Sequence, residues 1–347
     1  MSSSTVPLTN GTVDDGLSAV NIAEQPELPP VPTSTRMGAA AAASVTRWTG
    51  GLVTDVMPVG RSTVWVYRAL VAAVMSALGS MPADTSITPV HDQGMRGEWV
   101  LAPGVEFGDR AGYYVHGSAY VACSARTHRK LVARLSQATG LPIFTVDYRL
   151  APEHRFPTAA DDVEAGYRWL LGQGYAGSDL FVAGDSAGGH LAMDMLLATV
   201  DEPLLRPAGV VLLSPLIDLT LKLAAQLDRE PVLSANTARR IVEMYSSGID
   251  PGHPRLRLDF AKASGLSPVL VQVGGYEMLR ADARYLASAI NGAGGRCTLE
   301  EWPGMMHVFQ ALPRLGPESD AALRRAADFI AAAYRRDERH TERSQLG

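Results

Sequence analysis

Short apolar runs alternate with longer amphipathic stretches from about residue 95 to about residue 335. The apolar runs predict seven strands, at residues 97–101, 112–115, 143–146, 180–183, 209–213, 269–273 and 297–301. The longer stretches predict helices at residues 126–139, 158–171, 188–199, 281–290 and about 320–334. The inner strands are nearly continuous apolar runs, as strands buried on both faces of a sheet should be. The alternation predicts an α/β fold with a mostly parallel central sheet flanked by helices.

Two regions interrupt this alternation. Residues 218–259 contain a helical run at 234–247 and no clear strand, and insertions of this kind at the carboxyl edge of a sheet tend to form lids. Residues 1–36 are rich in Ser, Thr and Pro and lack periodicity. We therefore predict a disordered leader at 1–36, an N-terminal helical cap segment at 37–84, a main domain at 85–335 with a cap insertion at about 218–259, and a polar tail at 336–347.

Composition and charge exclude several classes of protein. The 347 residues are 46% apolar and 19% charged, which is ordinary for a globular protein with a sizeable core. The net charge is −5, and no basic patch indicates nucleic-acid binding. Cys123 and Cys297 are expected to be buried free thiols rather than a disulfide framework. The N-terminus shows no secretory signal, and Arg68 interrupts the one apolar stretch, at 62–81. We expect no membrane span and a cytoplasmic location.

The predicted strand at 180–183 runs directly into the sequence GDSAGG at residues 184–189, and a helix begins at once. A serine on such a tight turn is exposed at the edge of the sheet, and the flanking glycines relieve crowding around its strained backbone. The helix that follows favours negative charge developing at its N-terminus. A bare Gly-x-Ser-x-Gly motif also arises by chance, so its strand and helix context carries the prediction that Ser186 is a nucleophile.

A serine hydroxyl needs a general base, and the base needs an orienting carboxylate. Where they act together on this kind of turn, the chain order is serine, acid, histidine. Three histidines follow Ser186. His340 lies in a charged tail, and His253 lies in the inserted segment before any acid at a strand end. His307 follows the last predicted strand on a loop, so we predict that it is the base.

The acid should follow the strand that precedes the histidine loop. The predicted strand at 269–273 leads into a Gly-Gly-Tyr-Glu sequence, which makes Glu277 the first choice. Asp282 lies in the predicted helix beyond it, where a capping or surface role suits it better. Asp218 follows an earlier strand and is less favoured.

Three further motifs surround these candidates in a fixed order. Residues 116–119 read HGSA, residues 148–154 read YRLAPEH, and residues 303–309 read PGMMHVF. Together with GDSAGG, they resemble the hormone-sensitive-lipase-like family of α/β-hydrolases, in its bacterial family IV esterase branch, over about residues 85–335. The resemblance implies the α/β-hydrolase fold, with a helical cap built from N-terminal helices and the inserted segment.

The resemblance also implies an activity. It implies a serine carboxylesterase that hydrolyses short- to medium-chain esters through an acyl-enzyme, with Ser186, Glu277 and His307 as the catalytic triad. No cofactor, no metal and no nucleic-acid partner are expected. The substrate would be a small-molecule ester, and homodimers are common in such families.

Backbone N–H donors must stabilise the oxyanion that forms during acyl transfer. The predicted oxyanion hole consists of Ala187, after the nucleophile, and of Gly117, Ser118 and Ala119 in the HGSA loop. The resemblance implies that Ser118 and Ala119 donate the hydrogen bonds. The family has glycines at both positions, and the Cβ atoms present here disfavour positive φ and narrow the space near the acyl group. Because the donors are backbone amides, the oxyanion hole can survive if those dihedral angles are ordinary, so the change affects the expected substrate shape more than the chemistry. The histidines of two motifs, His116 and His154, are expected to be hydrogen-bonding scaffold.

Two alternatives to an esterase stay open. The same site could cleave an amide, such as an N-acetyl group, or a lactone of a specialised metabolite, because leaving-group protonation and pocket shape decide the bond type. A non-catalytic ligand-binding protein on this scaffold is less favoured, since such proteins can lose a triad member and all three candidates are present.

Overall fold

The computed structural model describes residue 28, residues 60–226 and residues 235–345, the last nine as backbone only. The predicted leader, apart from residue 28, and the predicted cap segment up to residue 59 lie outside the described residues. So does the interval 227–234 within the predicted insertion. Within the described part of the chain, no helix is both long and apolar enough to cross a bilayer.

An eight-stranded sheet forms the centre of the molecule. In chain order its strands, β1 to β8, are Ser86–Asp92, Met95–Leu101, Ala111–Val115, Ile143–Val146, Leu180–Asp185, Gly209–Leu213, Val269–Gly274 and Cys297–Trp302. Across the sheet their order is β1-β2-β4-β3-β5-β6-β7-β8. The pairs β1–β2 and β2–β4 are antiparallel, and all other neighbours are parallel. The seven predicted strands are confirmed, with ends within two residues of those expected.

The first strand, β1, is the one that the sequence pattern missed. Its residues alternate between exposed and half-buried, and it contains Pro89, which suits only an edge strand. A tight turn at Gln93 and Gly94, both at positive φ, folds β1 back onto β2. With little apolar surface to bury, the segment carries none of the pattern that marks the inner strands.

Seven helices, α1 to α7, surround the sheet in the described residues. They are Val64–Leu78, Ala125–Thr139, Thr158–Gly172, Ala187–Ala198, Ala235–Ser246, Arg280–Gly292 and Glu318–Gln345. Each predicted helix is found, and α7 continues through most of the predicted polar tail. The charged residues of that tail are good helix formers, which explains why the periodic core pattern ends before the helix does.

The strands bury side chains on both faces, which creates two apolar cores. In β3, Tyr113 and Val115 pack in the core covered by α3, α4 and α6, whereas Tyr114 packs in the core covered by α2 and α7. Successive side chains of a strand point to opposite faces, so every inner strand supplies both cores. This arrangement confirms the predicted α/β architecture and leaves the carboxyl edge of the sheet to carry the loops.

Helices α1 and α5 both lie over that carboxyl edge and line a common cavity. The residues of α1 that face the cavity follow helical spacing: Tyr67, Leu70, Val71, Val74, Met75 and Leu78. Helix α5 adds Ala238 and Val242 from the predicted insertion. The division into a main domain and a two-part cap remains a proposal, and it is consistent with this placement.

Candidate active site

Ser186 stands between β5 and α4 in a backbone conformation that few L-residues adopt, with φ 51° and ψ −122°. Its N–H donates to the Leu213 carbonyl at 3.0 Å, and its own carbonyl accepts from the N–H of Leu216 at 3.0 Å. These backbone bonds hold the turn from both sides. A Cβ at Gly188 would overlap the Val115 carbonyl oxygen, and one at Gly184 would lie 2.9 Å from the Gly188 carbonyl oxygen. The motif therefore needs both glycines to bring the strand and helix this close.

His307 lies on the loop after β8, with its ring between Ser186 and Glu277. Its Nε2 is 3.1 Å from Ser186 Oγ, and its Nδ1 is 3.1 Å from Glu277 Oε1. The imidazole is 31% exposed, and the Glu277 side chain is fully buried. The structure thus brings the three predicted triad residues together in one hydrogen-bonded series, although 121 residues separate Ser186 from His307.

Ser214 connects the Glu277 carboxylate to the loop that carries His307. Its hydroxyl donates to Glu277 Oε2 at 2.8 Å and accepts from the Val308 N–H at 3.1 Å. The Gly274 N–H also donates to Glu277 Oε2, at 2.8 Å. Both Ser214 and Val308 have positive φ, so the two loops turn sharply to reach each other. No role was assigned to Ser214 from the sequence, in which it lies directly after β6.

The less favoured acid and base candidates lie elsewhere. Asp218 accepts hydrogen bonds from Thr220 and from the Leu223 N–H within its own loop. The His253 ring packs against Phe156, with ring centroids 4.9 Å apart. The side chain of His340 is outside the described residues.

Asp282 is fully buried, so a surface role is wrong. Its Oδ1 accepts from the Ile217 N–H at 2.8 Å and from the Asp218 N–H at 2.7 Å, which anchors the segment after β6. Its Oδ2 is buried and has no hydrogen-bond partner in the described part of the chain. Burial raises the pKa of Asp282 to about 7, against the opposing effect of the two N–H donors.

We expect the Asp282→Asn variant to change how stability depends on pH. Between about pH 4 and about pH 7, the folded protein binds the Asp282 proton and the unfolded chain does not, so this group makes stability fall as pH rises. The asparagine oxygen can still accept the two N–H donors without carrying a charge. The melting temperature of the variant minus that of the wild type should therefore rise from pH 5 to pH 8, by roughly 2–4 °C per kcal/mol. A difference that stays constant or falls would contradict this reading of Asp282.

The loop after β3 carries three consecutive residues in the left-handed region: Ser118 at φ 88°, Ala119 at φ 52° and Tyr120 at φ 66°. The condition of ordinary dihedral angles at Ser118 and Ala119 is therefore not met. The loop turns tightly over the nucleophile, and the surrounding contacts enforce a geometry that glycine would adopt more readily. Within the described residues, the N–H groups of Ser118, Ala119 and Ala187 donate no hydrogen bond, and Ser118 and Ala119 line the cavity at Ser186.

Gly117 has a different place from its neighbours. Its N–H donates to Asp185 Oδ1 at 3.1 Å, which argues against its predicted role as an oxyanion donor. A Cβ at Gly117 would overlap Asp185 and lie 2.9 Å from Ser186 Cβ. Gly117 therefore lets the loop approach the nucleophile closely.

A buried network beneath the loop is centred on Asp185. The Tyr114 hydroxyl donates to Asp185 Oδ1 at 2.8 Å, and His128 Nε2 lies 3.4 Å from the same oxygen. Burial acts to raise the pKa of Asp185, but the charge and hydrogen bond of His128 and the bond from Tyr114 outweigh it and lower the pKa. The Asp185 carboxylate therefore stays ionised and fixes the loop through Gly117.

The two motif histidines differ in environment. The His116 ring is buried and stacks on Tyr148 at 4.1 Å, and the Tyr148 hydroxyl donates to the His116 carbonyl at 2.7 Å. Burial and the nearby His128 lower the pKa of His116 to about 4, so the ring is neutral at neutral pH. His154 is exposed and lies outside this network.

A cavity of about 250 Å³ opens above Ser186. Apart from the nucleophile, His307 and the Asp185–His128 pair, its lining is apolar except for Tyr67 and Ser118, and the apolar side chains come from α1, α5 and the loops after β3, β6, β7 and β8. Cys123 is a buried free thiol, with Sγ 2.9 Å from Ser118 Oγ; Cys297 is free and half-buried. In the described residues, no group of three or more His, Cys, Asp or Glu side chains is arranged to hold a metal ion.

The fold and this arrangement of serine, histidine and glutamate define the α/β-hydrolases. A family model described as alpha/beta hydrolase fold matches residues 113–311. An acetyl-hydrolase of Streptomyces hygroscopicus is 38% identical over 74% of this chain and 85% of its own, and an esterase of Acinetobacter venetianus is 34% identical over 70% and 81%. A crystal structure of an esterase from the bacterial hormone-sensitive lipase family superposes with a TM-score of 0.74 and 32% identity, covering 88% of this chain and all of that one. The chain belongs to the α/β-hydrolase family, and its predicted place among the hormone-sensitive-lipase-like members is confirmed.

Proposed function

We propose that this protein is a serine carboxylesterase that hydrolyses small, uncharged esters of short- to medium-chain acids. The observation that carries the proposal is the hydrogen-bonded series from Ser186 through His307 to Glu277 at the floor of an apolar cavity. Relatives named esterase and acetyl-hydrolase support the same reaction class.

In the first step, Ser186 Oγ attacks the ester carbonyl and its proton passes to His307 Nε2. Glu277 accepts the Nδ1–H bond, keeps the ring in the tautomer that presents a free Nε2, and stabilises the imidazolium. The N–H groups of Ser118, Ala119 and Ala187 would bind the oxyanion, and the N-terminus of α4 adds a favourable dipole.

The tetrahedral intermediate collapses when the alkoxide leaves with the proton from His307 Nε2, and the acyl group remains on Ser186. Water then enters, gives a proton to His307, and attacks the acyl-enzyme through a second tetrahedral intermediate. The acid is released, and the proton returns to Ser186 Oγ. Every proton transfer in this scheme uses the one imidazole, whose ring is exposed enough for water to reach it.

The cavity predicts a preference for short chains. At about 250 Å³ it lies below the roughly 300–1,000 Å³ of pockets that take drug-sized ligands. Each buried methylene contributes about 0.8 kcal/mol, so kcat/KM should rise up to about tenfold from p-nitrophenyl acetate to butyrate. It should then fall by at least about tenfold from butyrate to dodecanoate, whose chain has no room. Equal kcat/KM for monomeric butyrate and dodecanoate would contradict this expectation.

Assays of the same kind distinguish an esterase from the alternative amidase and lactonase functions. We expect p-nitrophenyl acetate to be hydrolysed far faster than p-nitroacetanilide or γ-butyrolactone, because a phenolate leaves without the full proton transfer that an amine requires. Faster turnover of the anilide or lactone would favour the amidase or lactonase reading.

A cytoplasmic location and a homodimer also remain proposals, which cell fractionation and light scattering test.

A further inference from the structure

Arg68, in the second turn of α1, reaches from the cavity wall to the segment that follows the proposed oxyanion loop. Its Nε donates to the Val121 carbonyl at 2.7 Å, and its Nη2 donates to the Ala151 carbonyl at 3.0 Å. Both terminal nitrogens also bond the Glu153 carboxylate, at 2.9 and 2.7 Å. One guanidinium thus donates to two backbone carbonyls and one side-chain carboxylate, which lie on two different loops.

These acceptors are connected directly to the strained turn. The Val121 N–H donates to the Ser118 carbonyl at 3.2 Å, and the Ala151 N–H donates to the Tyr120 carbonyl at 2.9 Å. Arg68 therefore binds the carbonyl groups of Val121 and Ala151. The N–H groups of the same two residues bind the carbonyls of Ser118 and Tyr120. Residues kept at positive φ are strained and persist only when their surroundings over-determine them.

Glu153 keeps the guanidinium in one orientation. The pair is bidentate, which fixes the plane of the fork as well as its position. The hydrogen bond from Arg68 is the main cause that lowers the pKa of Glu153, so the carboxylate stays charged. A lysine has a single ammonium and cannot reach all three acceptors with this geometry.

We propose that Arg68 is a positioning residue for the oxyanion hole: through Val121 and Ala151 it holds the Ser118–Ala119 turn in its left-handed conformation. This inference rests on the proposed esterase function. The same helix supplies the apolar wall of the cavity, through Leu70, Val71 and Val74. Helix α1 therefore sets the distance between that wall and the oxyanion donors.

A simpler role would be to anchor α1 to the body of the protein, and the chain offers a matched control for it. Lys130 Nζ donates to the Ser76 carbonyl at 2.6 Å, at the C-terminal end of the same helix, far along α1 from the oxyanion loop. Lys130→Met removes an anchor of α1 without touching Val121 or Ala151. Arg68→Met removes the anchor and the loop contacts together.

The test compares Arg68→Met, Arg68→Lys and Lys130→Met with the wild type on p-nitrophenyl butyrate. We expect Arg68→Met to lower kcat by about 10- to 100-fold, with KM within about threefold, because misplaced donors fail in the transition state more than in substrate binding. Arg68→Lys should fall between, and Lys130→Met should stay within about twofold. Inhibition by a trifluoromethyl ketone, whose serine adduct carries an oxyanion, should weaken in Arg68→Met by the same factor as kcat/KM.

Several results would overturn the inference. They are a folded Arg68→Met protein with kcat within about twofold of wild type, a Lys130→Met protein impaired to the same degree, or unchanged ketone inhibition. If circular dichroism shows that Arg68→Met does not fold, Glu153→Gln replaces it, with an expected drop in kcat of about three- to tenfold and an unchanged kcat counting against the inference. A wild-type protein without ester hydrolysis overturns the proposed function itself, whereas an active wild type beside an unimpaired Arg68→Met overturns the inference alone.

Discussion

Replacing Ser186 with alanine is expected to reduce turnover of p-nitrophenyl butyrate by at least about 10⁴-fold, because no acyl-enzyme can form and only binding and the oxyanion donors remain. The variant should fold, since the turn is held by backbone bonds from Ser186 to Leu213 and Leu216 that alanine also makes. Alanine must adopt the same φ of 51°, so the backbone strain changes little.

The matched control for this variant is Ser246→Ala on α5. The Ser246 hydroxyl donates to the Val242 carbonyl within its own helix, at 3.3 Å. Its loss should leave turnover within about twofold. A fluorophosphonate probe should label the wild type and Ser246→Ala and leave Ser186→Ala unlabelled. Residual turnover above about 1% in purified Ser186→Ala would refute the proposed mechanism.

Replacing Glu277 with glutamine should have the second-largest effect, a fall in kcat of about 10³- to 10⁴-fold with KM little changed. The carboxylate accepts from His307 on one oxygen and from Ser214 and Gly274 on the other. A glutamine must present its NH₂ to one of these two sides, so either the His307 tautomer is inverted or two donors lose their acceptor. The neutral amide also gives up the charge that stabilises the imidazolium.

Asp282→Asn is the control for Glu277→Gln, because it removes the rival carboxylate on the same segment of the chain. Asp282 binds the Ile217 and Asp218 N–H groups rather than the histidine, and an asparagine oxygen can accept from both. Its kcat should remain within about threefold of wild type. Steady-state rates with one ester substrate are sufficient to compare the two variants. If Asp282→Asn lost as much activity as Glu277→Gln, the assignment of the acid would be wrong.

The sequence predicted the architecture and the three triad candidates because their signals are local. Buried strands appear in the sequence as short apolar runs, and the nucleophile turn needs a strand, two glycines and a helix within a few residues. Glu277 and His307 were found from chain order and from their places after strands. The structure then brings these three side chains within hydrogen-bonding distance of one another.

Other features had no local signal. The edge strand β1 is polar and contains a proline, so nothing in its pattern separates it from a loop. Ser214 lies at a strand end like many serines, and only the approach of the Glu277 and His307 loops makes it a shared partner. In the sequence, Arg68 only interrupts an apolar stretch. Its hydrogen bonds to Val121 and Ala151 become evident only in the folded structure.

The dihedral angles of the HGSA loop show where local sequence preference no longer determines the structure and tertiary contacts do. From residue type alone, Ser118 and Ala119 favour negative φ, yet both have positive φ in the structure, because tertiary contacts outweigh a preference of about 1–2 kcal/mol per residue. Local preference and burial pattern determined where strands, helices and the nucleophile turn lie. Tertiary structure decided which distant groups meet and which strained conformations are held, because those depend on many contacts made at once between segments far apart in the chain.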